Sequence, residues 1–374
     1  MSRFDRWIFD SFPVTPEGLG IYRIGYALFT LLVVAPGHGA YTRFADLGTL
    51  PEGFFLPPPG PMMFMPGLPD PLFFHGVVLL LNLCLVALLL GYRTRLASVL
   101  TTVLFLVGFG FSYSFGKINH TLLFSLVPLI MSASNWGAAY SVDALRRRDP
   151  APVVAGWPIT LLALLLGFGM FTAGFTKLIG GWLDPSTHAA QGHFIRQFYT
   201  NGRQDFLAPV FTHLSSPVFW EILDWATVCF EMGFLAAVLH PRTTRLFAAL
   251  AVGFHNATLL MLNISFAVNL PVYAAFLDGT RWRLPVPFPP QRLAHGWALG
   301  GSLLAGTIFF TWIGSPLGWL DGLVPFSSDL TMPEVVAQLS ALGLVLALGA
   351  QAWRRRRATR RSLPAVSGVP SSNG

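Results

Sequence analysis

The chain has 374 residues, of which 53% are hydrophobic and only 11% charged, with a mean hydropathy of +0.58 and a formal net charge of +7. Soluble domains carry roughly 25% charged residues, so this composition excludes an ordinary soluble enzyme and indicates a chain that crosses a membrane repeatedly. The positive charge sits mainly at the ends of apolar runs, which reads as membrane topology and not as a nucleic-acid surface.

Residues 1–12, with Arg3, Arg6, Trp7, Phe9 and Phe12, read as a short interfacial helix and not as a cleavable signal. A spanning helix needs about 20 largely apolar residues. The chain offers 20–37, 71–91, 96–115, 118–134, 155–177, 219–239, 245–262, 265–279, 293–313 and 333–353. Pro13 and Pro16 precede the first of these, and Gly91 and Pro241 mark the ends of the second and sixth. The charge-free stretch 246–277 reads either as one long helix or as two short ones broken near Asn263–Ser265. Cys84 and Cys229 both fall inside apolar runs and offer neither a disulfide framework nor a metal quartet. Residues 354–374, basic and then polar, read as a disordered tail.

Charge decides between the two readings of 246–277. With a cytoplasmic N-terminus and about ten spans, 18 of the 24 basic residues fall inside. They are Arg3, Arg6, Arg93, Arg95, Arg146 to Arg148, Arg242, Arg245, Arg281, Arg283, Arg292, Arg354 to Arg357, Arg360 and Arg361. Arg43, Lys117, Lys177, Arg196 and Arg203 fall outside, and Arg23 lies at the inner start of the first span. A single helix over 246–277 would put the arginine-rich tail outside. The expected architecture is therefore all-α: a polytopic transmembrane helix bundle of about ten spans, with both termini cytoplasmic, in the plasma (inner) membrane. Residues 1–353 form one membrane domain, with 354–374 as its tail. The long loops 38–70 and 180–218 face outward, and the second carries Trp182, Phe198 and Tyr199, fitting an aromatic belt or a cap over an outward-facing cavity.

Only two of the basic residues are lysines, and both lie where apolar segments end. Arginine stays protonated under almost any condition, whereas a desolvated lysine sheds its proton. Lys177 therefore has two readings: an amine that acts as a base at the outer face, or a helix-end lysine snorkelling to the headgroups. Lys117, Asn119 and His120 open the fourth span, with Lys117 and His120 three apart on one face. His120 and Asn119 read as a ligand-binding pair or as a capped turn, and Lys117 as an interfacial anchor or ligand contact. His255 and Asn256 lie within the seventh span, where they orient a ligand or hold helices together. Asp224 and Glu231, seven apart in the sixth span, share a face and read as orienting or ion-pairing groups, with Lys177, His255 or an arginine as the partner of Glu231. No HExxH, GxSxG or Cys-x-x-Cys motif is present. Haem ligation by His120 and His255 has no further support, and no metal is expected.

With these residues in hand, the chain resembles the membrane part of the vitamin K-dependent gamma-glutamyl carboxylases and their bacterial relatives, the HTTM (horizontally transferred transmembrane) domain proteins. Phe-Thr-Ala-Gly-Phe-Thr-Lys-Leu-Ile-Gly-Gly-Trp, residues 171–182, is similar to the family's Tyr-Phe-x-Ala-Gly-x-x-Lys-Leu followed by Trp. Asn119-His120 is similar to the Asn-His of Trp-Asn-Asn-His-Ser-Tyr-Leu, and Phe254-His255 to a later Phe-His. Arg23-Ile-Gly and Gly91-Tyr-Arg also fit. The resemblance covers residues 4–280, leaving two additional spans in 281–353. Lys117 and Ile118 depart from the family's Trp and Asn, and Thr121-Leu122 from its Ser-Tyr.

The resemblance implies that Lys177 is a catalytic base and His120 an active-site histidine, with a reduced, vitamin K-like quinone as the lipid-soluble partner. Trp182, Asn119, His255, Asn256 and Lys117 would then contact the ligand. The carboxylases grip their protein substrates with a soluble domain, whereas residue 280 of this chain is succeeded by two spans and a tail. An enzyme would therefore be a quinol-dependent, carboxylase-like lyase or run a related reaction, with an exported peptide or protein as a further candidate substrate. The alternatives are a non-enzymatic quinone, lipid or peptide binding or export protein, and an assembly subunit of a membrane complex.

Overall fold

Backbone that crosses a bilayer must satisfy its own hydrogen bonds, and the apolar runs of this chain do so as helices. The computed structural model describes residues 2–36, 41–115, 121–150, 152–286, 288–324 and 331–361, with side chains to residue 353. The described residues are all-α, with no strand among them. In chain order, the helices that position the site are α1 (Arg3–Asp10), α2 (Pro16–Phe29), α3 (Pro71–Leu90), α4 (Thr94–Ser112), α5 (Thr121–Ser132), α6 (Trp157–Ile179), α7 (Ala189–Ile195), α8 (Pro217–Ala237), α9 (Pro241–Leu262), α10 (Leu270–Ala274), α11 (Gly296–Ile308) and α12 (Met332–Arg361).

Seven helical stretches are long and apolar enough to cross a membrane: Pro16–Val34, Pro71–Leu90, Thr94–Phe115, Trp157–Ile179, Pro241–Leu262, Gly296–Ile313 and Met332–Trp353. The protein is thus a multi-pass membrane protein in contact with lipid. Two expected spans are helical without meeting that standard. Helix α8 has 21 residues but carries Glu221, Asp224 and Glu231, and α5 has 12 described residues.

The expected span at 265–279 is not a helix of that length. Helix α9 ends where Asn263 turns left-handed, at φ 51°. A 3-10 turn at Ala267–Asn269 and the five-residue α10 follow. Side chains of neighbouring helices take up carbonyls of this broken segment: Tyr22 Oη donates to Pro271 O at 2.8 Å and Arg245 Nε to Phe276 O at 2.8 Å. Leu270, Val272, Tyr273, Ala275 and Phe276 of this segment are buried in the bundle, the setting in which irregular backbone between spans is tolerated. The segment closes against the start of α2, where a Cβ on Gly18 would stand 2.5 Å from Gly279 O.

Arg23 explains how one end of the bundle closes. It is fully buried, and its guanidinium donates to Leu88 O, Leu89 O, Trp136 O and Tyr140 O. Leu88 and Leu89 stand at the end of α3, whose last carbonyls have no intrahelical donor. The planar fork of an arginine serves several of them at once. Gly91, at φ 69°, must be glycine: a Cβ there would lie 2.3 Å from Ser141 Cβ and 3.0 Å from Arg23 Cζ. Asp143 then caps α4, accepting from the backbone amides of Arg93 and Thr94 at 2.9 and 2.7 Å.

Pro128 inside α5 has no N–H for the carbonyl of Phe124. Tyr26 Oη supplies the donor instead, at 3.1 Å. One residue on, the Thr102 hydroxyl inserts between Ser125 O and Leu129 N, at 2.8 and 3.1 Å. The last two long helices pack on the rest: α11 on α3, where Gly306 meets Val86, and α12 on α9. Ala337, Ala341, Leu344 and Leu348 make the buried stripe of α12 at helical spacing. The helical backbone of α12 runs on to Arg361, past the point where the sequence turns basic. Arginine is a good helix former, and cations at a helix C-terminus complement its dipole. Residues 362–374 lie outside the described residues.

Candidate functional site

The site begins with two glycines on one face of α6. A Cβ on Gly167 would meet Val238 Cγ1 at 2.9 Å, and one on Gly174 would meet Glu231 Cβ at 2.9 Å and Met232 N at 3.0 Å. With no side chain in the way, α8 lies against α6 along its length. Lys177 is one turn beyond Gly174 and Glu231 is directly opposite, so the two side chains converge.

Lys177 Nζ lies 2.5 Å from Glu231 Oε2. The lysine side chain is 23% exposed and the glutamate side chain 7%. Such a pair in an apolar setting persists because separating it would leave a charge without a counter-ion. Lys177 is therefore sheltered and engaged. An ammonium has three N–H donors, so the one given to Glu231 leaves others for a guest molecule.

The turn after α6 brings an aromatic ring over the amine. Trp182 N donates to Lys177 O at 3.1 Å, and Gly181 takes the positive φ of 81° that this reversal needs. Lys177 Nζ then stands 5.4 Å from the centre of the Trp182 ring, within cation–π range. Trp182 in turn meets His193, with ring centroids 5.4 Å apart and planes at 45°. In the same exposed turn, the Ser186 amide and then the Ser186 hydroxyl donate to Asp184, holding its carboxyl below the usual range.

His193 lies on α7, which is tied to α8 by a buried carboxylate. Asp224 is fully buried, and its Oδ1 accepts the Ala190 amide at 2.8 Å. It thus orients a helix start from outside the helix. Its Oδ2 is buried without a hydrogen-bond partner among the described residues. Phe194 packs on Trp220 below, completing a small second core with Ala190 and Ala208.

His255 makes its described contacts elsewhere. Its Nε2 lies 2.8 Å from Tyr273 Oη, and its ring stacks on Phe266 at 4.2 Å. Asn256, Gln338 and Leu259 line a small cavity beside it, between α9 and α12. Asn263 caps α9 and clasps the loop below through Asp205, whose backbone N and O it meets at 2.8 and 3.0 Å. Lys117, Asn119 and His120 lie outside the described residues.

Of the expected site residues, the structure brings together Lys177, Glu231 and Trp182, with Asp224 placing the helix that adjoins them. His193, Tyr273 and Gln338 were not singled out by sequence reasoning. No spacing rule links His193 to Trp182, because the contact depends on how the 180–218 loop folds back on itself.

A family model, the HTTM domain, matches residues 13–276 of this chain. No curated protein and no solved structure matches it. The matched stretch contains α2 to α10, including Lys177, Glu231 and Trp182.

Proposed function

This chain belongs to the HTTM domain family, and from that premise we propose a membrane protein that takes a proton from a lipid-soluble guest at its extracytoplasmic face. The bundle crosses the membrane about ten times, counting α5, α8 and the broken segment around α10 as crossings, and both termini are cytoplasmic. Residues 1–353 act as one membrane domain in the plasma (inner) membrane, since α11 and α12 pack on the matched region.

The observation that carries the reading is the sheltered amine of Lys177, paired with Glu231 and overlaid by Trp182, at the outward end of α6. A reduced quinone fits this donor set: the indole face suits a flat ring, and the ammonium suits a ring hydroxyl. When bound, such a quinol would supply an acidic hydroxyl. Lys177 would orient that hydroxyl and stabilise the charge left behind, Trp182 would hold the ring, and the apolar walls would exclude water. His120 and Asn119 belong to the same proposal as ligand contacts, with Lys117 beside them. His255 and Asn256 act from the α9–α12 side.

A second reading is favoured by the ion pair itself. An amine already engaged by a carboxylate serves equally in a protein that binds or exports a quinone, lipid or peptide without chemistry. Extraction of lipids from the purified protein tests the quinone that both readings share. A co-purifying quinone supports both, and Lys177→Arg divides them: a binder keeps its ligand affinity, whereas a proton-abstracting enzyme loses turnover at least 100-fold, within the usual range for general acid–base groups. Recovery of no quinone, with no spectral change on adding quinol, would overturn the quinol reading.

A further inference from the structure

We propose that Glu231 is the final acceptor of the proton taken from the guest, with Lys177 acting as the relay between them. This rests on the reading of the Lys177 site as a place of deprotonation. It changes which residue ends up holding the proton.

Proton capacity sets the direction of transfer. An ammonium already bonded to three protons accepts a fourth only if it gives one up. The acceptor in line is Glu231 Oε2, 2.5 Å from Nζ. Gly174 places nothing between the two helices at this level, so the separation is held by helix packing and not by a flexible loop. With Glu231 ionised, a lone-base scheme needs Lys177 neutral at rest, which would leave that carboxylate, 7% exposed, without a counter-ion. The ion pair removes that cost only while Lys177 keeps its proton.

The relay balances. The guest O–H bond breaks and a new Nζ–H bond forms, while another Nζ–H bond breaks and an Oε2–H bond forms. The guest goes from neutral to a single negative charge, Glu231 from negative to neutral, and Lys177 stays positive throughout. One cation thus faces one anion before and after, and only the position of the anion changes. Glu231 becomes a neutral acid in an apolar seam, the form that such surroundings favour. The ammonium is left beside the new guest anion, which it stabilises. No oxidant, metal or second base is required.

The two schemes predict opposite outcomes for Glu231→Gln. If Lys177 alone is the base, loss of the carboxylate frees the amine, and guest deprotonation persists. If Glu231 is the acceptor, the variant still binds the guest but no longer deprotonates it. The experiment is infrared difference spectroscopy on the whole protein in lipid nanodiscs, with anaerobic 1,4-naphthoquinol as the probe. Ring bands report binding and ionisation, and the carbonyl stretch of a protonated carboxylic acid reports Glu231. The expected result is one equivalent of that carboxylic band together with the ring anion, both lost in Glu231→Gln while neutral ring bands remain. If Glu231→Gln does not fold, the wild-type band with 13C-labelled glutamate and its shift in heavy water give the same reading. A naphthoquinol anion with no carboxylic band overturns the relay and leaves Lys177 as the base. Absence of ring bands altogether overturns the deprotonation site, and the relay with it.

Discussion

Lys177 and Glu231 are 54 positions apart in the chain, yet Nζ and Oε2 meet at 2.5 Å across the α6–α8 seam. Removing either partner leaves the other sheltered and unpaired. Lys177→Met and Glu231→Leu are each expected to lower stability by about 3 kcal/mol. The double variant should recover most of that loss, because it replaces the pair with apolar contacts. Thermal unfolding in detergent, arranged as a double-mutant cycle, measures the coupling. Additive losses would mean that the pair contributes nothing.

Gly174 sets the depth of the seam. Gly174→Ala places a Cβ within 3.0 Å of Met232 N and of the Glu231 side chain. Separation of the helices should cost about 1–3 kcal/mol. Gly169, on the same helix, has nothing within 4 Å of its would-be Cβ. Gly169→Ala should be neutral or slightly stabilising, since alanine is the better helix former. Equal melting temperatures for the two variants would contradict the close approach.

Arg23 donates to the carbonyls of Leu88, Leu89, Trp136 and Tyr140 at once. Arg23→Lys keeps the charge but replaces a five-donor fork with three donors at a point. We expect a loss of about 3 kcal/mol or more, comparable with breaking a buried charged contact. Yield and melting temperature of the purified variant check this, and wild-type values for Arg23→Lys would show that charge alone suffices.

Asp224 governs the short helix that carries His193. Asp224→Asn keeps an oxygen to accept the Ala190 amide, whereas Asp224→Ala removes it. Loss of such a cap costs about 1 kcal/mol locally. Hydrogen exchange over residues 185–200 should therefore accelerate about fivefold in Asp224→Ala and little in Asp224→Asn. Similar rates in both would detach Asp224 from α7.

His240 adds a pH dependence at the other end of α8. Its Nδ1 accepts the Arg242 amide at the start of α9, which requires the unprotonated ring. Burial, then Arg242 and Arg245, lower its pKa from the ordinary histidine value. A base with a lowered folded-state pKa contributes stability that is fully present above the unfolded value. That stability is lost as pH falls from there through the folded value. Melting temperature should decline with acidification below about pH 6.5, and less so in His240→Asn, which keeps a capping oxygen. Identical profiles would remove His240 as the cause.

Much of the helical plan was legible in the sequence because hydropathy and cap chemistry are local. Pro16, Gly91 and Pro241 stand near the helix ends that they foretold. The broken segment at 263–279 was less legible: its apolar composition resembles that of a span, and what allows it to break is the set of donors from Tyr22 and Arg245, far away in sequence. The candidate site divides in the same way. Lys177 stood out by its rarity, whereas Glu231 had Lys177, His255 or an arginine as candidate partners, and only packing selects Lys177.

The order of amino acids alone dictates that this chain lives in a bilayer, that its helices are α, and that a rare amine ends one of them. Packing in three dimensions is what sets Glu231 opposite that amine, lays Trp182 over it, and turns His255 to Tyr273 instead. The difference is one of range: burial preference and helix periodicity are properties of neighbouring residues. The choice of partner depends on the depth and register at which two helices pack, which at this seam are set by two glycines, Gly167 and Gly174, that carry no polar signal of their own.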